Sequence, residues 1–512
     1  MLPSNPRAVA HELANVGVTV AKWTLLVLPL GLVTGSCVAA FLWSLDRVTA
    51  IRFEYPWLLW FLPVAGGLIG WLFATVGGPA DKGNNLIIDE IHEPGGGVPL
   101  RMAPLILLTT VITHLFGGSA GREGTAVQMG GGLAGGLAQR LPWLSRDDVR
   151  TLLMGGMAAG FGGVFGTPVA GMVFALEVLA VGRMRYEAIL PCLVASLTAD
   201  WTCAAWTISH THYAVATLIP SGVTTVLAPL EPELMAWAAV GGLVFGLASR
   251  LFAAATHGVN HLFRRFVASA MLRPVIGGLI VIALVHLLGT RDYLGLGVTN
   301  PDPNAVTILS AFEPGGAHAW SWAAKILFTA VTIGSGFKGG EVTPLFFVGA
   351  TLGGALGAMA GVPVDFMASL GFVAVFAGAA NTPLACIVMA VELFGGECIL
   401  YHAIPASWRI SRAGMQASTT LSGLTRRSDV GGPSTTSTHT RRPEYQRCSP
   451  KPSSMPSAPS SISRTRHRRR VRPSRSLRSP RCRRRISQRS CKPSTEPGSS
   501  GRSVASAEAC RS

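Results

Sequence analysis

The chain has 512 residues, of which 49% are hydrophobic and 13% are charged, and it contains 60 glycines. An average soluble protein has about a quarter of its residues charged, so this composition favours a membrane protein. The formal net charge of +17 would suit a nucleic acid or anionic lipid partner, but residues 401–512 hold 24 of the 43 basic and 4 of the 26 acidic residues. Residues 1–400 carry a formal charge of −3, so the body of the chain needs no polyanionic partner.

Ten apolar segments follow one another along the chain. They cover residues 23–43, 57–76, 104–116, 152–181, 188–206, 234–255, 275–288, 323–333, 344–360 and 370–394. Several are shorter than the roughly 20 residues that a perpendicular membrane helix needs, and Gly-Gly pairs or prolines interrupt many of them. We therefore expect an all-α polytopic membrane protein with tilted and broken helices, whose freed backbone groups face protein or a water-filled path. Residues 1–20 form a separate N-terminal segment in this interpretation, and the first apolar run is a retained helix.

Residues 117–125, Gly-Gly-Ser-Ala-Gly-Arg-Glu-Gly-Thr, place Glu123 among glycines within an apolar region. A charged group at membrane depth costs a few kcal/mol or more, so it usually marks an ion or proton path. Glycines let a helix begin inside the membrane, where its free N–H groups attract anions. We predict an anion site gated by the Glu123 carboxylate. The alternative is a carboxylate that only satisfies backbone amides at a helix start.

The two halves of the body also resemble each other. Residues 163–177 align with residues 378–392, and both segments contain Thr-Pro and end in a glutamate, Glu177 or Glu392. Coincidence among the small residues that membrane helices use for packing is the alternative explanation. We predict a duplication, in which both glutamates make structural contacts at helix ends.

A weaker match joins Thr125 and the Gly-rich run after it to Thr343 and its own Gly-rich run. The predicted transmembrane domain spans residues 21–404, with repeats at roughly 21–206 and 234–404. Duplicated halves of membrane proteins commonly form an inverted repeat, with the substrate site where the corresponding broken helices meet.

Three spaced motifs resemble the signature segments of the chloride-channel (CLC) family of anion channels and proton-coupled antiporters. They are Gly121-Arg-Glu-Gly124, the Thr-Pro segment that ends in Glu177, and Gly340-Glu-Val-Thr-Pro344. The resemblance covers about residues 20–400 and implies an inverted-repeat CLC-type fold and a homodimer with one anion pathway per subunit. It also implies that Glu123 competes with the anion and carries the exchanged proton. The anion-binding residues expected from it are Asn84, Gly121, Arg122, Gly124, Thr125, Gly340, Glu341, Val342 and Thr343.

Four departures from the chloride-selective pattern are informative. Asn84 stands where those members coordinate the ion with a serine, and Thr125 replaces a proline. Residues 341–343 differ from the usual third motif, and Val178 stands where many exchangers carry a second proton-transfer glutamate. These departures resemble the branch of the family that exports fluoride in exchange for protons.

The chemistry of fluoride suits these substitutions. Fluoride holds its hydration shell tightly and accepts short hydrogen bonds, so its site needs firm donors such as the Asn84 amide, the Thr343 hydroxyl and helix-terminal N–H groups. Glu341 would repel an anion if ionised, so we expect burial to keep it neutral or Lys338 to answer its charge. The alternatives are that Asn84 is a turn residue, Glu341 a structural partner of Lys338, and Thr125 and Thr343 helix caps.

The other function classes are less well supported by the sequence. The second hypothesis is a chloride channel or chloride/proton antiporter of the same fold, and the third is a membrane-tethered binder of nucleic acid or anionic lipid. The third is weakened because the basic tail has almost no aromatic residues for base stacking. We find no nucleophile–base pair and no metal-ligand triad, so we expect no enzymatic activity, cofactor or metal. The acidic and histidine residues at 89–93 lack metal-ligand spacing, and we expect them in a solvated loop at the edge of a bacterial inner membrane.

Residues 405–512 are rich in Ser, Arg and Pro and have almost no apolar periodicity, so we expect disorder. The apolar pattern stops abruptly after Ile404, where the resemblance implies one more helix. If each codon is read from its third base, Trp408 with a CGN codon for Arg409 gives alanine, and the codons downstream permit the family's last helix. We therefore predict that residues 405–512 are a frameshift product. The alternative is a real basic juxtamembrane tail.

Resequencing the gene tests the frameshift prediction. We expect a missing or extra base near the codons for Ile404 and Pro405, and an apolar helix in the restored frame. An unambiguous reading without such a base, together with full transport by the present chain, would refute it.

Overall fold

A computed structural model of the chain describes residues 6–179, 185–216, 228 and 230–407, which form a helical body. Its α-helices are α1 Pro6–Glu54, α2 Leu62–Leu72, α3 Asn84–His92, α4 Met102–Leu115, α5 Glu123–Arg140, α6 Arg146–Phe165, α7 Pro168–Glu177, α8 Ile189–Ala205, α9 Pro232–Phe266, α10 Leu272–Leu288, α11 Ser321–Ser335, α12 Val342–Ala360, α13 Val364–Ala380, α14 Pro383–Phe394 and α15 Ile399–Ser407. Extended pairing within these described ranges is confined to one antiparallel bridge between Gly121 and Gly340.

Five helical runs of the described chain are long and apolar enough to cross a membrane. They are Ala14–Glu54, Pro56–His92, Tyr186–Ala205, Pro232–Phe266 and Val342–Ala360. Shorter apolar helices of 10–17 residues lie between them. The prediction of an all-α polytopic membrane protein is confirmed.

Two of the predicted apolar segments are broken into helix pairs at equivalent positions. In the first half, α6 ends at Gly166 with φ of 71°, and Pro168 begins α7. In the second half, α13 ends at Asn381 with φ of 56°, and Pro383 begins α14. Glycine and asparagine tolerate this left-handed geometry, and proline suits a first helical position because it lacks an N–H group. The predicted structural repeat is present.

Within each repeat, glycines allow two neighbouring helices to pack backbone against backbone. A Cβ atom built on Gly130 of α5 would lie 1.9 Å from the carbonyl oxygen of Gly156 on α6. One on Gly349 of α12 would lie 2.1 Å from the carbonyl oxygen of Gly371 on α13. No larger residue fits at either position, which explains why α5 has too few large apolar residues to be recognised as an apolar segment.

The two repeats also exchange helix caps. The carboxylate of Glu392, near the end of α14, accepts hydrogen bonds of 2.9 and 2.8 Å from the first backbone amides of α7. Glu177, the last residue of α7, does the same for α14 at 3.1 and 2.8 Å. The donors are the N–H groups of Val169, Ala170, Leu384 and Ala385. Negative charge at a helix start is stabilising, so the predicted structural contacts of both glutamates are confirmed.

The structure differs from the sequence analysis at both ends of the body. Helix α1 begins at Pro6, so the first helix includes most of residues 1–20. At the other end, α15 continues past the predicted boundary at Ile404 to Ser407, because Pro405 and Ala406 are buried. The rest of the predicted tail, residues 408–512, lies outside the described residues.

The prediction of a solvated loop at residues 89–93 is wrong about the loop, although three of its four polar residues are exposed. Residues 89–92 form the last turn of α3. Glu90 is buried and accepts hydrogen bonds from the amides of Gly95 at 2.9 Å and Gly96 at 3.1 Å, so it closes the helix end. Within the described part of the chain there is no group of three or more His, Cys, Asp or Glu residues that could hold a metal ion.

The exchanged caps predict a stability effect that is independent of transport. Replacing Glu392 with Gln removes the charge and one of the two acceptor oxygens at the start of α7. The free energy of unfolding should fall by about 1 kcal/mol, as for other helix caps. Thermal unfolding of the detergent-solubilised protein measures this, with the exposed Glu313→Gln as the control. Equal melting of the two variants would contradict the role of the cap.

Candidate functional site

The carboxylate of Glu123 is bound at the start of α12. Glu123 is the first residue of α5 and is only 1% exposed. Its Oε2 accepts hydrogen bonds from the backbone N–H of Thr343 at 3.0 Å and of Arg122 at 3.1 Å, and its Oε1 accepts one from the Thr343 hydroxyl at 2.5 Å. The Arg122 Nε lies 3.6 Å from Oε1. The carboxylate thus sits where free helix-terminal donors would hold an anion.

Glycines bring the two helix starts together. The backbones of Gly121 and Gly340 exchange hydrogen bonds of 2.6 and 2.7 Å in the single antiparallel bridge. A Cβ atom on Gly340 would lie 2.7 Å from the backbone nitrogen of Gly124, and one on Gly121 would lie 2.8 Å from a Glu123 carboxylate oxygen. The loops before α5 and α12 can therefore meet only where side chains are absent.

A large cavity approaches this meeting point from one side. It has a volume of about 630 Å³, and its walls include Asn84, Gly124, Gly340 and Glu341. Asn84 begins α3, and its amide nitrogen would lie 3.5 Å from a Cβ on Gly124. The buried Asn84 Oδ1 has no hydrogen-bond partner within the described part of the chain. Three helix starts, those of α3, α5 and α12, thus converge on one place.

Lys338 reaches the same large cavity. Its ammonium lies 2.8 Å from Oδ1 of Asp81 and 4.0 Å from the ring centroid of Phe73. Glu341 also lines this cavity and is 7% exposed. Lys338 and Glu341 therefore line the same cavity, and the ion pair that the described residues show for Lys338 is with Asp81.

A much smaller cavity lies on the Glu123 side of the meeting point. Its walls include Arg122, Glu123, Thr343, His210, Tyr213 and Phe346. Its volume is about 10 Å³, close to what a single water molecule needs. The rings of Phe346 and Phe372 stack with centroids 3.8 Å apart and narrow it. Gly124 lines the large cavity and Glu123 the small one, so both cavities reach the start of α5.

Not every predicted site residue lies in these cavities. The hydroxyl of Thr125 is 2.8 Å from that of Thr110, at the contact between α5 and α4. Val342 is 1% exposed and, like Thr125, lines neither of the two cavities. Gly121 contributes through its backbone bridge to Gly340.

The sequence analysis missed a buried lysine that packs against α12. Lys325 on α11 is fully buried and donates to the carbonyl oxygens of Tyr293 at 3.1 Å and Gly295 at 2.8 Å. Its ammonium lies 5.1 Å from the ring centroid of Phe347, one turn after Thr343 on α12. Among the described residues no carboxylate oxygen lies within 4.0 Å of its Nζ atom, so these two carbonyl groups are its hydrogen-bond acceptors. A lone lysine in an apolar helix was the available signal.

His210 and Tyr213 were also missed. Both lie in the connection between α8 and α9, where no apolar pattern or family motif draws attention to them. Their position beside Glu123 depends on tertiary packing alone. Tyr213 packs against the rings of Phe312 and Phe372, with centroids 5.9 and 5.1 Å away.

Comparisons with known proteins agree with this geometry. Residues 65–407 match the family described as "Voltage gated chloride channel". The chain is 48% identical over 400 residues to the "Chloride/fluoride channel protein" of Pseudomonas syringae pv. tomato, which covers 77% of this chain and 84% of that protein. It is 26% identical over 307 residues to the "H(+)/Cl(-) exchange transporter ClcA" of Vibrio vulnificus, over 56% of this chain and 61% of that protein.

Solved structures of the same architecture are also similar. A crystal structure of a CLC-type fluoride/proton antiporter has a TM-score of 0.68 and 35% identity, covering 76% of this chain and 94% of that chain. The structure of a slow cyanobacterial Cl⁻/H⁺ antiporter has a TM-score of 0.62 and 18% identity, covering 79% and 95% of the two chains. The second likeness concerns the fold alone.

Proposed function

We propose that this chain, which belongs to the voltage gated chloride channel family, exports fluoride in exchange for protons. The observation that carries the proposal is the binding of the Glu123 carboxylate by the backbone N–H and hydroxyl of Thr343 at the start of α12. A carboxylate held by these donors occupies the place of a transported anion. The gate and the substrate therefore compete for one set of hydrogen bonds.

Proton coupling follows from the chemistry of this competition. Hydrogen bonds to an ionised carboxylate are roughly twice as strong as those between neutral groups. When Glu123 takes up a proton, it loses its charge and its attraction to the positive end of α12. The neutral side chain then leaves the donors to an incoming anion, and return of the ionised form requires the anion to depart.

Fluoride is favoured over chloride by the donors at the site. The Thr343 hydroxyl and amide can both point at a small anion, and the Asn84 amide lies near Gly124 on the large-cavity side. Short, firm donors replace the hydration shell of fluoride better than that of chloride. The 35% identity to a fluoride/proton antiporter supports this choice, while the likeness to a chloride exchange transporter keeps chloride as the second candidate.

The membrane location and the oligomeric state of the chain are part of the same proposal. Its apolar spans support a position in a bilayer, and its bacterial relatives favour the inner membrane of a bacterium. The family resemblance favours a homodimer with one pathway in each subunit.

The first transport prediction concerns the gate. In Glu123→Gln the side chain keeps its size but can no longer carry a proton, so fluoride-driven proton uptake should stop. Proteoliposomes of purified protein, monitored with a pH electrode and a fluoride electrode, measure both fluxes. Glu187→Gln, which changes an exposed carboxylate, should leave them unchanged. If Glu123→Gln took up protons at the rate of the unmutated protein, the gating role of Glu123 would be contradicted.

The second transport prediction concerns selectivity. Thr343→Val keeps the side-chain shape and removes the hydroxyl, so the ratio of fluoride to chloride flux should fall about tenfold, equivalent to about 1.4 kcal/mol. A ratio separates selectivity from any change in overall rate caused by loosening the gate. Val342→Ala alters the neighbouring buried residue and should leave the ratio unchanged. Equal fluoride and chloride fluxes in the unmutated protein would show that the anion is not chosen as proposed.

A further inference from the structure

His210 shares the small cavity with Glu123 and has no role in the mechanism above. It lies between α8 and α9, in a segment that also carries His212 and Tyr213. The cavity joins the imidazole to Glu123 and Arg122 across space for about one water molecule. A titratable ring beside a proton-carrying carboxylate is the arrangement that a proton relay requires.

We propose that His210 carries protons between the aqueous surface and the Glu123 carboxylate through the water that this cavity accommodates. The proposal rests on the proposed proton-coupled function and names the group that loads its gate. In this proposal the ring acts on the proton, and the donors of Thr343 act on the anion.

The position of the imidazole suits a relay. Its side chain is 21% exposed, and Nε2 lies 3.9 Å from Oδ1 of Asp200 on α8, whose side chain is 31% exposed. Nε2 is buried, and no described residue gives it a hydrogen bond. The ring packs over Gly166, where a Cβ atom would lie 2.6 Å from Cδ2. The His210 side chain thus lies between the partly exposed carboxylate of Asp200 and the small cavity.

Burial favours the neutral form of the ring, and nearby positive charge adds to this effect. Burial, followed by the positive charge of Arg122 and the neighbouring His212, lowers the pKa of His210 to about 4. The groups that face it are Asp200 from α8, Arg122 and Glu123 from the start of α5, and His212 and Tyr213 from its own segment. A neutral imidazole has one N–H group and one free nitrogen, so it can accept and donate in the same passage.

The proton step balances without any other reactant. A proton from the aqueous side binds the free ring nitrogen, and the N–H proton on the other nitrogen passes to the cavity water. That water releases one of its own protons to a Glu123 carboxylate oxygen. The ring returns to the neutral state as its other tautomer, and one proton has moved from the surface to Glu123.

The test uses the full chain in proteoliposomes, with fluoride and proton fluxes measured together. In His210→Ala the loading of Glu123 should become slow, so both fluxes should fall about tenfold or more. Their ratio should stay unchanged, since Glu123 must still be protonated in each cycle. Added imidazole should restore most of the rate by entering the space left by the ring. His210→Gln fills that space without a titratable group, and it should be slow and not rescued. His261→Ala, which removes an exposed histidine on α9 away from both cavities, is the control and should be normal.

The outcomes separate the relay from its alternatives. Normal fluxes in His210→Ala or His210→Gln would overturn the relay. Slow fluxes in His210→Ala without recovery in imidazole would assign the ring a packing role over Gly166 and also overturn it. An unmutated protein with fluoride flux but no proton uptake would overturn the proposed function itself, which distinguishes that failure from a failure of the relay.

Discussion

The structure is organised around one buried carboxylate and the helix start that binds it. Glu123 is 1% exposed, and an isolated ionised carboxylate at membrane depth would be strongly destabilised. Thr343 supplies two hydrogen bonds and the positive end of α12, so the charge is answered across the boundary between the repeats. This contact requires the loops before α5 and α12 to touch, and the Gly121–Gly340 bridge shows how closely they do so. Removal of either glycine would separate the donor from the acceptor.

The duplication explains both the stability of the scaffold and the asymmetry of the site. Where the repeats serve structure they remain equivalent, as in the reciprocal caps made by Glu177 and Glu392. At the candidate site the two repeats differ. Helix α5 begins with Glu123, whereas α12 begins with Val342 and presents Thr343 as a donor. One repeat thus carries the acceptor and the other the donor, which a symmetric pair of helix starts could not provide.

Much of this was predictable because it depends on local sequence. The helix breaks follow from Gly166 and Asn381 before Thr-Pro, and the importance of Glu123 follows from an ionisable residue among glycines. What could not be predicted depends on packing between distant segments. The Thr125 hydroxyl forms a hydrogen bond with that of Thr110 at the α4–α5 contact. Glu90 is held at the end of α3 by hydrogen bonds from the backbone amides that follow this helix. His210 has no local signal at all, because only the fold brings it beside Glu123.

Under the proposed function, competition for shared donors also accounts for the coupling between proton and anion. The hydroxyl and amide of Thr343 can serve the ionised carboxylate or an anion, but not both at full strength. Protonation of Glu123 therefore raises the affinity of the site for the anion. By linkage, a bound anion raises the affinity of Glu123 for a proton by the same factor. Both effects require the Glu123 carboxylate and the anion to use the same donors at the start of α12. The coupling is therefore a consequence of the position of the Thr343 donors. Because Thr343 and His210 line the same small cavity, the proposed anion donors and the proposed proton path meet at this carboxylate.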